Sequence, residues 1–355
     1  MGANDSGTYA GLDNVASSTR FIFSGEARVS PNVKAGFEIM TEWNLGGRTS
    51  TVDQSSPDGG TTPAFAASDG GLGVRRAFWW LEDKNLGRIS VGRHNAGGPV
   101  GTIDLGGVSV VASAAPSDIG GSFFVAPGGT TRLSAVMAPS YGNDRVEGIR
   151  YDSPTIGGFV VQAFWGEQDV WSASLRYAGE FGGIRVAAGI GYLAQDPTAT
   201  QTVQLDGARN IDNDWSASLA LMHVGTGLFV QGQYSESEFL NGGDAKYWLV
   251  QGGITKNWFG LGNTSLFAEY GEATDYIKSG PGLVGGALPA TTNAFLAASS
   301  EVTFFGLGVV QNIDAAAMEL YLGWRRFETD INGGGATPSA SNDLDLVTGG
   351  ARIKF

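Results

Sequence analysis

Polarity along this chain alternates residue by residue over stretches of roughly ten, the mark of strands with one wet and one apolar face. Gly, Asp, Asn, Ser and Pro separate the stretches. Between Arg20 and Val29, Phe21, Phe23, Ala27 and Val29 share one side, and Arg20, Ser24, Glu26 and Arg28 share the other. A strand points successive side chains to opposite faces, so this segment carries one apolar and one polar surface. Pro31-Asn32 reads as a turn, and Val33 to Trp43 repeats the pattern, with Val33, Ala35, Phe37, Ile39 and Trp43 opposite Lys34, Glu38 and Glu42. The same rule predicts strands over 74–83, 88–93, 145–152, 158–166, 170–179, 183–194, 214–224, 227–236, 246–257, 264–274, 300–312, 317–328 and 344–355. The last places Phe355, Ile353, Ala351, Gly349 and Val347 on an uncharged face and Arg352, Lys354 and Thr348 on the other.

The connections alternate in length. Short turns are predicted at 30–32, 84–87, 153–157, 180–182, 225–226, 258–262 and 313–316. Long polar loops fall at 45–73, 95–144, 195–213, 237–245, 275–299 and 329–343, with 166–170 the exception. Short turns on one side and long loops on the other are the asymmetry of an outer-membrane β-barrel. Aromatics near strand ends fit interfacial girdles: Trp43, Trp165, Trp171, Tyr177, Tyr192, Trp215, Tyr234, Trp258, Tyr270 and Trp324. A soluble sandwich would leave its outer faces wet and would need no apolar face on nearly every strand. The expected fold is therefore all-β: one transmembrane antiparallel β-barrel domain spanning 1–355. The prediction yields fifteen strands, whereas bacterial single-chain barrels have even numbers. Either Thr8 to Leu12 supplies a short first strand or the first strand is missing, and the polar start at Met1 is expected to replace a removed leader.

Composition narrows the classes. A net charge of −13 argues against nucleic acid as a partner, whose phosphates need a basic footprint. Cysteine is absent, which excludes a disulfide framework and thiol chemistry. The mean hydropathy of −0.03 does not exclude a membrane, because a barrel turns only alternate residues to lipid. The two histidines, His94 and His223, lie far apart in the chain, and no catalytic constellation appears around them.

Several short segments occur in an order and spacing that resemble the general porins of Gram-negative outer membranes, most closely those of alphaproteobacteria. They are Ser17-Ser18-Thr19-Arg20-Phe21 with Ser24-Gly25, Ala35-Gly36-Phe37-Glu38, Leu86-Gly87-Arg88-Ile89-Ser90-Val91-Gly92-Arg93, Ile149-Arg150-Tyr151-Asp152-Ser153-Pro154 with Gly157-Gly158-Phe159, and Ala351-Arg352-Ile353-Lys354-Phe355. The resemblance covers nearly the whole chain. It implies a sixteen-stranded barrel, a homotrimer, a bacterial outer-membrane location with lipid and lipopolysaccharide as neighbours, and a water-filled pore for passive diffusion of small polar solutes and ions. It also implies that loop 95–144 folds into the lumen, and that Phe355 is the terminal aromatic read by the assembly machinery.

On that resemblance the pore constriction has a basic wall of Arg20, Arg93 and Arg150, to which strand parity adds Arg28, Lys34 and Arg76. Inward is the cheap direction for them, since a lipid-facing Arg or Lys costs about 2–4 kcal/mol near the midplane. Parity sets Arg93 against Arg88 and Ser90, so a bulge or a strand end near Gly92 must turn it inward. The facing acidic wall is Asp104 and Asp118 on the loop. Asp118 stands in Pro116-Ser117-Asp118-Ile119-Gly120-Gly121, which resembles the family's loop tip, with Ile119 in place of the usual aromatic and Ala114 near where a second acid is usual. Charges opposed across a pore orient dipolar solutes; the plainer alternative is that the arginines pair with Glu26, Glu38 and Glu42. The net charge predicts mild cation preference. Asp53, Asp58, Asp69, Asp196, Asp206, Asp212, Asp244 and Asp275 in the loops could hold a loosely bound divalent cation or remain solvated; no other cofactor is expected. Phe78, Trp80, Phe164, Phe229 and Phe305 could face inward as a stacking slide, which keeps a sugar- or carboxylate-selective channel open as the alternative. A structural or adhesive barrel with a plugged lumen is a third reading. Ala35 and Gly36 are expected on the outside, as small residues for subunit packing.

Overall fold

A computed structural model of the chain describes residues 8, 10–43, 48–50, 52–53, 72–126, 131–139, 145–195, 211–239, 243–276, 299–333 and 339–355. Of the loop aspartates, Asp58, Asp69, Asp196 and Asp206 lie outside the described residues. The strands are β1 (Arg20–Arg28), β2 (Val33–Trp43), β3 (Leu72–Asp83), β4 (Gly87–Asn95), β5 (Arg145–Asp152), β6 (Phe159–Gly166), β7 (Trp171–Phe181) and β8 (Ile184–Ala194). They continue as β9 (Ile211–His223), β10 (Leu228–Phe239), β11 (Asp244–Lys256), β12 (Thr264–Thr274), β13 (Ser299–Ile313), β14 (Met318–Asn332) and β15 (Ala340–Ile353). All fifteen join in chain order into one antiparallel sheet, with β1 and β15 at its two ends.

No strand pairs with both β1 and β15 among the described residues. The expected short strand at Thr8 to Leu12 does not form over its described part, and Tyr9 lies outside it. Instead Asn14 caps a single 3₁₀ turn, Val15–Ser17, its side-chain oxygen accepting from Ala16 N at 3.0 Å. This segment bridges to the far end of the sheet: Asn14 Nδ2 donates to the Tyr321 hydroxyl at 3.0 Å, and Arg352 donates to Ser17 Oγ at 2.6 Å.

The sheet separates its two faces as the alternation requires. Outward residues such as Trp79, Trp165, Leu266, Leu307 and Leu322 are about half exposed in the single chain, and they form the surface that meets lipid. Aromatic pairs on neighbouring strands form a belt near the long-loop ends: Trp171–Tyr192, Trp215–Tyr234, Trp248–Tyr270 and Phe305–Trp324, with ring centroids 5.2–5.4 Å apart. Beyond the belt the same outer faces carry acids, at Glu236, Glu272, Glu328, Asp343 and Asp345, with Arg326 paired to the last three. Gly36 is not outward as expected. It stands opposite Glu26 and Trp80 on the lumen face, and a Cβ there would meet the Trp80 ring at 2.4 Å.

One irregularity matters for the lumen. Met40 pairs with Arg76, but Thr41 pairs with Val74, so Arg75 has no partner across the ladder. A bulge of this kind re-aims side chains. Here it turns both Arg75 and Arg76 inward, to Glu42 and Glu38.

Candidate functional site

The loop after β4 folds into the barrel and follows its inner wall from β7 to β15. The wall holds it by its backbone. Ser172 donates to the carbonyl of Ala96, Val100 N donates to Ser216 Oγ, and Ile103 N donates to Ser218 Oγ at 2.9 Å. Gln231 Oε1 accepts from Leu105 N and Gly106 N at 2.9 and 3.3 Å, and the Gly106 carbonyl accepts from Thr255 and Ser265 at 2.7 and 2.6 Å. Gln251 donates to Ala112 O at 3.0 Å, Arg325 to Pro116 O at 3.1 Å, and Asn342 to Val125 O at 2.8 Å. An irregular buried backbone must find such partners, and inward Ser, Thr, Gln, Asn and Arg supply them. Alternation marked these positions as polar, but only the path of the loop gives them their role.

Apolar packing completes the seat. Val108, Val110, Val111 and Ala112 cluster with Met222, Phe229, Phe267 and Val310. Val125, Leu133, Val136 and Met137, the last three in or beside the short helix α1 (Leu133–Val136), cluster with Tyr247, Leu249, Phe304 and Phe327. The loop therefore covers the inner faces of β7–β15, its root also touching Phe164 of β6, and leaves most of the inner face of β1–β6 as the open wall.

That wall carries most of the inward charge. Register places Arg20, Arg28, Lys34, Arg76 and Arg150 on its lumen face, together with Arg75, Arg88 and, on β7, Arg176. The carboxylates among them are Glu26, Glu38, Glu42, Glu82 and Asp152. Lys34 pairs with Glu26 at 2.8 Å, Arg76 with Glu38 at 2.6 Å, and Arg150 with Asp152 at 2.7 Å; Glu42 takes both Arg48, at 2.8 Å, and Arg75. Much of the basic wall is thus internally paired, as the plainer sequence reading had it, with guanidinium groups in excess. Arg75 and Arg88 were missed as members; the Arg75-Arg76 doublet, which breaks alternation, was the available signal for a bulge.

Arg93 does not join this wall. The ladder from Arg88 to Asn95 runs without a register shift, and Arg93 stands opposite Ala77 and Glu147 on the outer face with Ile89 and Val91. Gly92 has φ of +130° but does not reverse the alternation. The inward residue is His94, whose ring lies 4.1 Å from that of Phe78.

The loop acids divide. Asp104 accepts from Gly107 N at 2.8 Å, Ser109 N at 2.7 Å and Gln231 Nε2 at 3.1 Å. Its carboxylate satisfies its own turn against the β10 wall, so it seats the loop. Asp118 ends the 3₁₀ turn Pro116–Asp118 at the loop tip and accepts from Ser113 Oγ at 3.3 Å. Its carbonyl receives Thr49 Oγ1 at 2.9 Å, which joins the tip to residues 48–53.

The proposed aromatic slide breaks up. Phe78 and Trp80 lie on the open wall. Phe164 is packed with Ala96, Val146, Val170 and Leu193 at the loop root, and Phe229 lies beneath Val108 to Ala112. Phe305 faces outward against Trp324. Among the described residues no group of three or more His, Asp or Glu is placed to hold a metal. Phe355 lies just beyond β15 and is fully exposed.

A β-barrel with an internal loop and a charged open wall defines a membrane channel. Residues 2–332 match the Gram-negative porin family, and the chain belongs to that family: it is an outer-membrane channel for passive diffusion. No curated protein sequence matches it. Among solved structures it is similar in fold to in-vitro folded OmpT, an outer membrane protein of Vibrio cholerae, with 14% identity, a TM-score of 0.50, and coverage of 95% of this chain and 88% of that one. The outer-membrane expressed OmpT of Vibrio cholerae aligns at 14% identity and TM-score 0.50, over 94% and 88%. Salmonella typhi OmpF in complex with daunomycin aligns at 14% identity and TM-score 0.48, over 94% and 89%.

Proposed function

We propose that the pore is divided lengthwise, with solutes passing between the open wall of β1–β6 and the tip of loop 95–144. The basic side is Arg20, Arg28, Lys34, Arg75, Arg76 and Arg150, and the acidic contribution from the loop is Asp118. The observation that carries this reading is the continuous seat of the loop along β7–β15, which leaves one inner wall free. Small hydrophilic solutes and ions cross by diffusion, and the transverse field orients dipolar ones.

The charge that enters selectivity is the charge lining the lumen. The −13 net charge does not reside there. Five of the described acids, Glu236, Glu272, Glu328, Asp343 and Asp345, face outward at the rim, the last three around Arg326. A weak preference for anions therefore replaces the cation preference expected from composition. The functional unit is a homotrimer packed through the outer faces of β1–β5, where Phe23, Phe37, Trp79, Leu81 and Ile149 are exposed.

Reversal potentials of the reconstituted protein across a potassium chloride gradient test the selectivity, and vesicle swelling with sugars of rising size tests the diffusion path. A folded protein that conducts nothing overturns the pore reading, and a clear cation preference overturns the charge assignment. Cross-linking in detergent that yields only monomers overturns the trimer.

A further inference from the structure

We propose that the open wall holds a binding niche for a solute carboxylate, built from Arg88, Ser90 and Arg150 on β4 and β5. The inference rests on the pore reading above and names a solute class for the same wall.

Among the inward cations, Arg20, Arg28 and Arg176 lack an ion pair but donate to Ser18, Pro31 and Gln162; Arg88 has no hydrogen-bond partner among the described residues. Its register partners are Glu82 and Asp152, yet it forms no ion pair with any described residue. Its guanidinium instead lies over Trp80, 4.2 Å from the ring centroid, and 5.8 Å from that of Phe78. Stacking uses the face of a guanidinium and leaves its N–H edge free to donate in plane. The Nε of Arg88 is buried without a hydrogen-bond partner.

Ser90 stands one inward position above Arg88, between Trp80 and Arg150 on one rung. It is 1% exposed, and its hydroxyl also has no partner. On its other side Arg150 spans from Asp152, held at 2.7 Å, up to His94, with Nη1 3.4 Å from Nδ1. Two guanidinium groups therefore flank an unpaired buried hydroxyl. The nearby carboxylates are largely engaged: Asp152 by Arg150 and Gln162, and Glu38 by Arg76. Glu82 is the remaining competitor.

Buried donors left unpaired are unfavourable, and a planar two-oxygen acceptor satisfies a guanidinium edge and a hydroxyl together. A monovalent sphere such as chloride cannot. The niche would make carboxylates dwell during transit, so that they compete with chloride for the same wall.

Succinate is the probe. In planar bilayers, single-channel chloride current through the native protein should fall along a saturable, single-site curve as succinate is added. Arg88→Gln and Arg88→Lys should each move the midpoint by about tenfold or more, since an ammonium keeps the charge but lacks the stacked fork. Ser90→Ala should move it by a few-fold, and Glu82→Gln should tighten it. Arg185→Gln, at the short-turn end of β8, should leave the midpoint in place. A conducting channel with no saturable succinate effect overturns the niche, as does an equal response to Arg88→Gln and Arg185→Gln, which would indicate only a general field. Loss of tightening in Glu82→Gln counts against it too. A protein that does not conduct at all fails at the pore reading instead.

Discussion

The carboxylate of Glu269 and the guanidinium of Arg325 meet inside the barrel across a strand that contributes no side chain between them. Their register partner on β13 is Gly306, where a Cβ would lie 2.8 Å from Glu269 Oε1. The gap lets Arg325 Nε reach Glu269 at 2.7 Å. The pair closes a row of polar side chains running from Gln231 to Gln251, at 2.8 Å, and from Gln251 to Glu269, at 3.1 Å. The same row gives hydrogen bonds to the loop at Gly106, Ala112 and Pro116.

Both members of this pair are nearly inaccessible, with side chains 2% and 8% exposed. Breaking a buried pair from one side typically costs about 3–5 kcal/mol, because the remaining charge is stranded. Glu269→Leu should therefore lower the thermal unfolding temperature and loosen residues 111–118. Single-channel recordings should show added current noise. A variant as quiet and as heat-stable as the native protein would show that the loop is held elsewhere.

Backbone contact at the loop root makes a second test. Gly191 on β8 lies against the loop, and a Cβ there would fall 1.7 Å from the Gly98 carbonyl oxygen. Flexible side chains could yield to an added methyl group, but backbone cannot do so locally. Gly191→Val should lift the root of the loop from β8 and raise the unit conductance. Gly349→Ala, whose Cβ would meet its nearest neighbours at 3.3 and 3.4 Å, should conduct normally. Equal conductance in all three proteins would refute the close seating.

Strand positions and their two faces were legible because the period of two is repeated in every segment, and predicted bounds mostly lie within a few residues of the observed ones. Inwardness of Arg20, Arg28, Lys34, Arg76 and Arg150 followed from the same rule. Arg93 departs from the position its motif resemblance implies, because β4 keeps regular alternation and holds it outward. Arg75 is the opposite case: a bulge suspends alternation locally, and a one-residue slip reverses a side chain's face. The roles of Gln231, Gln251 and Arg325 were not legible, because they depend on contacts with residues more than a hundred positions away. The odd strand count, by contrast, was already present in the sequence.

Lipid contact can be tested on β11. Val250 is 48% exposed on the outer face, between Gly232 and Tyr270. In water an arginine at such a site would be tolerated, whereas facing lipid it should cost about 2–4 kcal/mol if it lies near the midplane. Val250→Arg should fold less completely into lipid vesicles, read as a lower folded fraction at equal denaturant. Folding equal to that of the native protein would place this face outside the hydrocarbon.

Phe355 packs against nothing in the described chain, as its full exposure implies. Its removal should leave folding in detergent unchanged. In cells the same deletion should reduce the amount of folded protein in the outer membrane, measured by fractionation. Normal cellular assembly of the shortened chain would remove the assembly role expected for this residue.

Arg75 offers the most direct test of the open wall, because its bulge can be removed without disturbing the sheet. Deleting Arg75 would bring Val74 next to Arg76 and make the β2–β3 ladder regular, with Val74 still outward and Arg76 still inward. Glu42 would keep Arg48. Arg75→Gln keeps the bulge and removes only the charge. One charge acting through water at about 4–8 Å is worth roughly 0.5–1 kcal/mol, so both variants should lower the anion-to-cation permeability ratio by roughly two- to fivefold. Reversal potentials in a salt gradient measure this directly. If the deletion shifts selectivity and Arg75→Gln does not, the bulge acts through shape; if neither does, the wall near Glu42 lies outside the ion path.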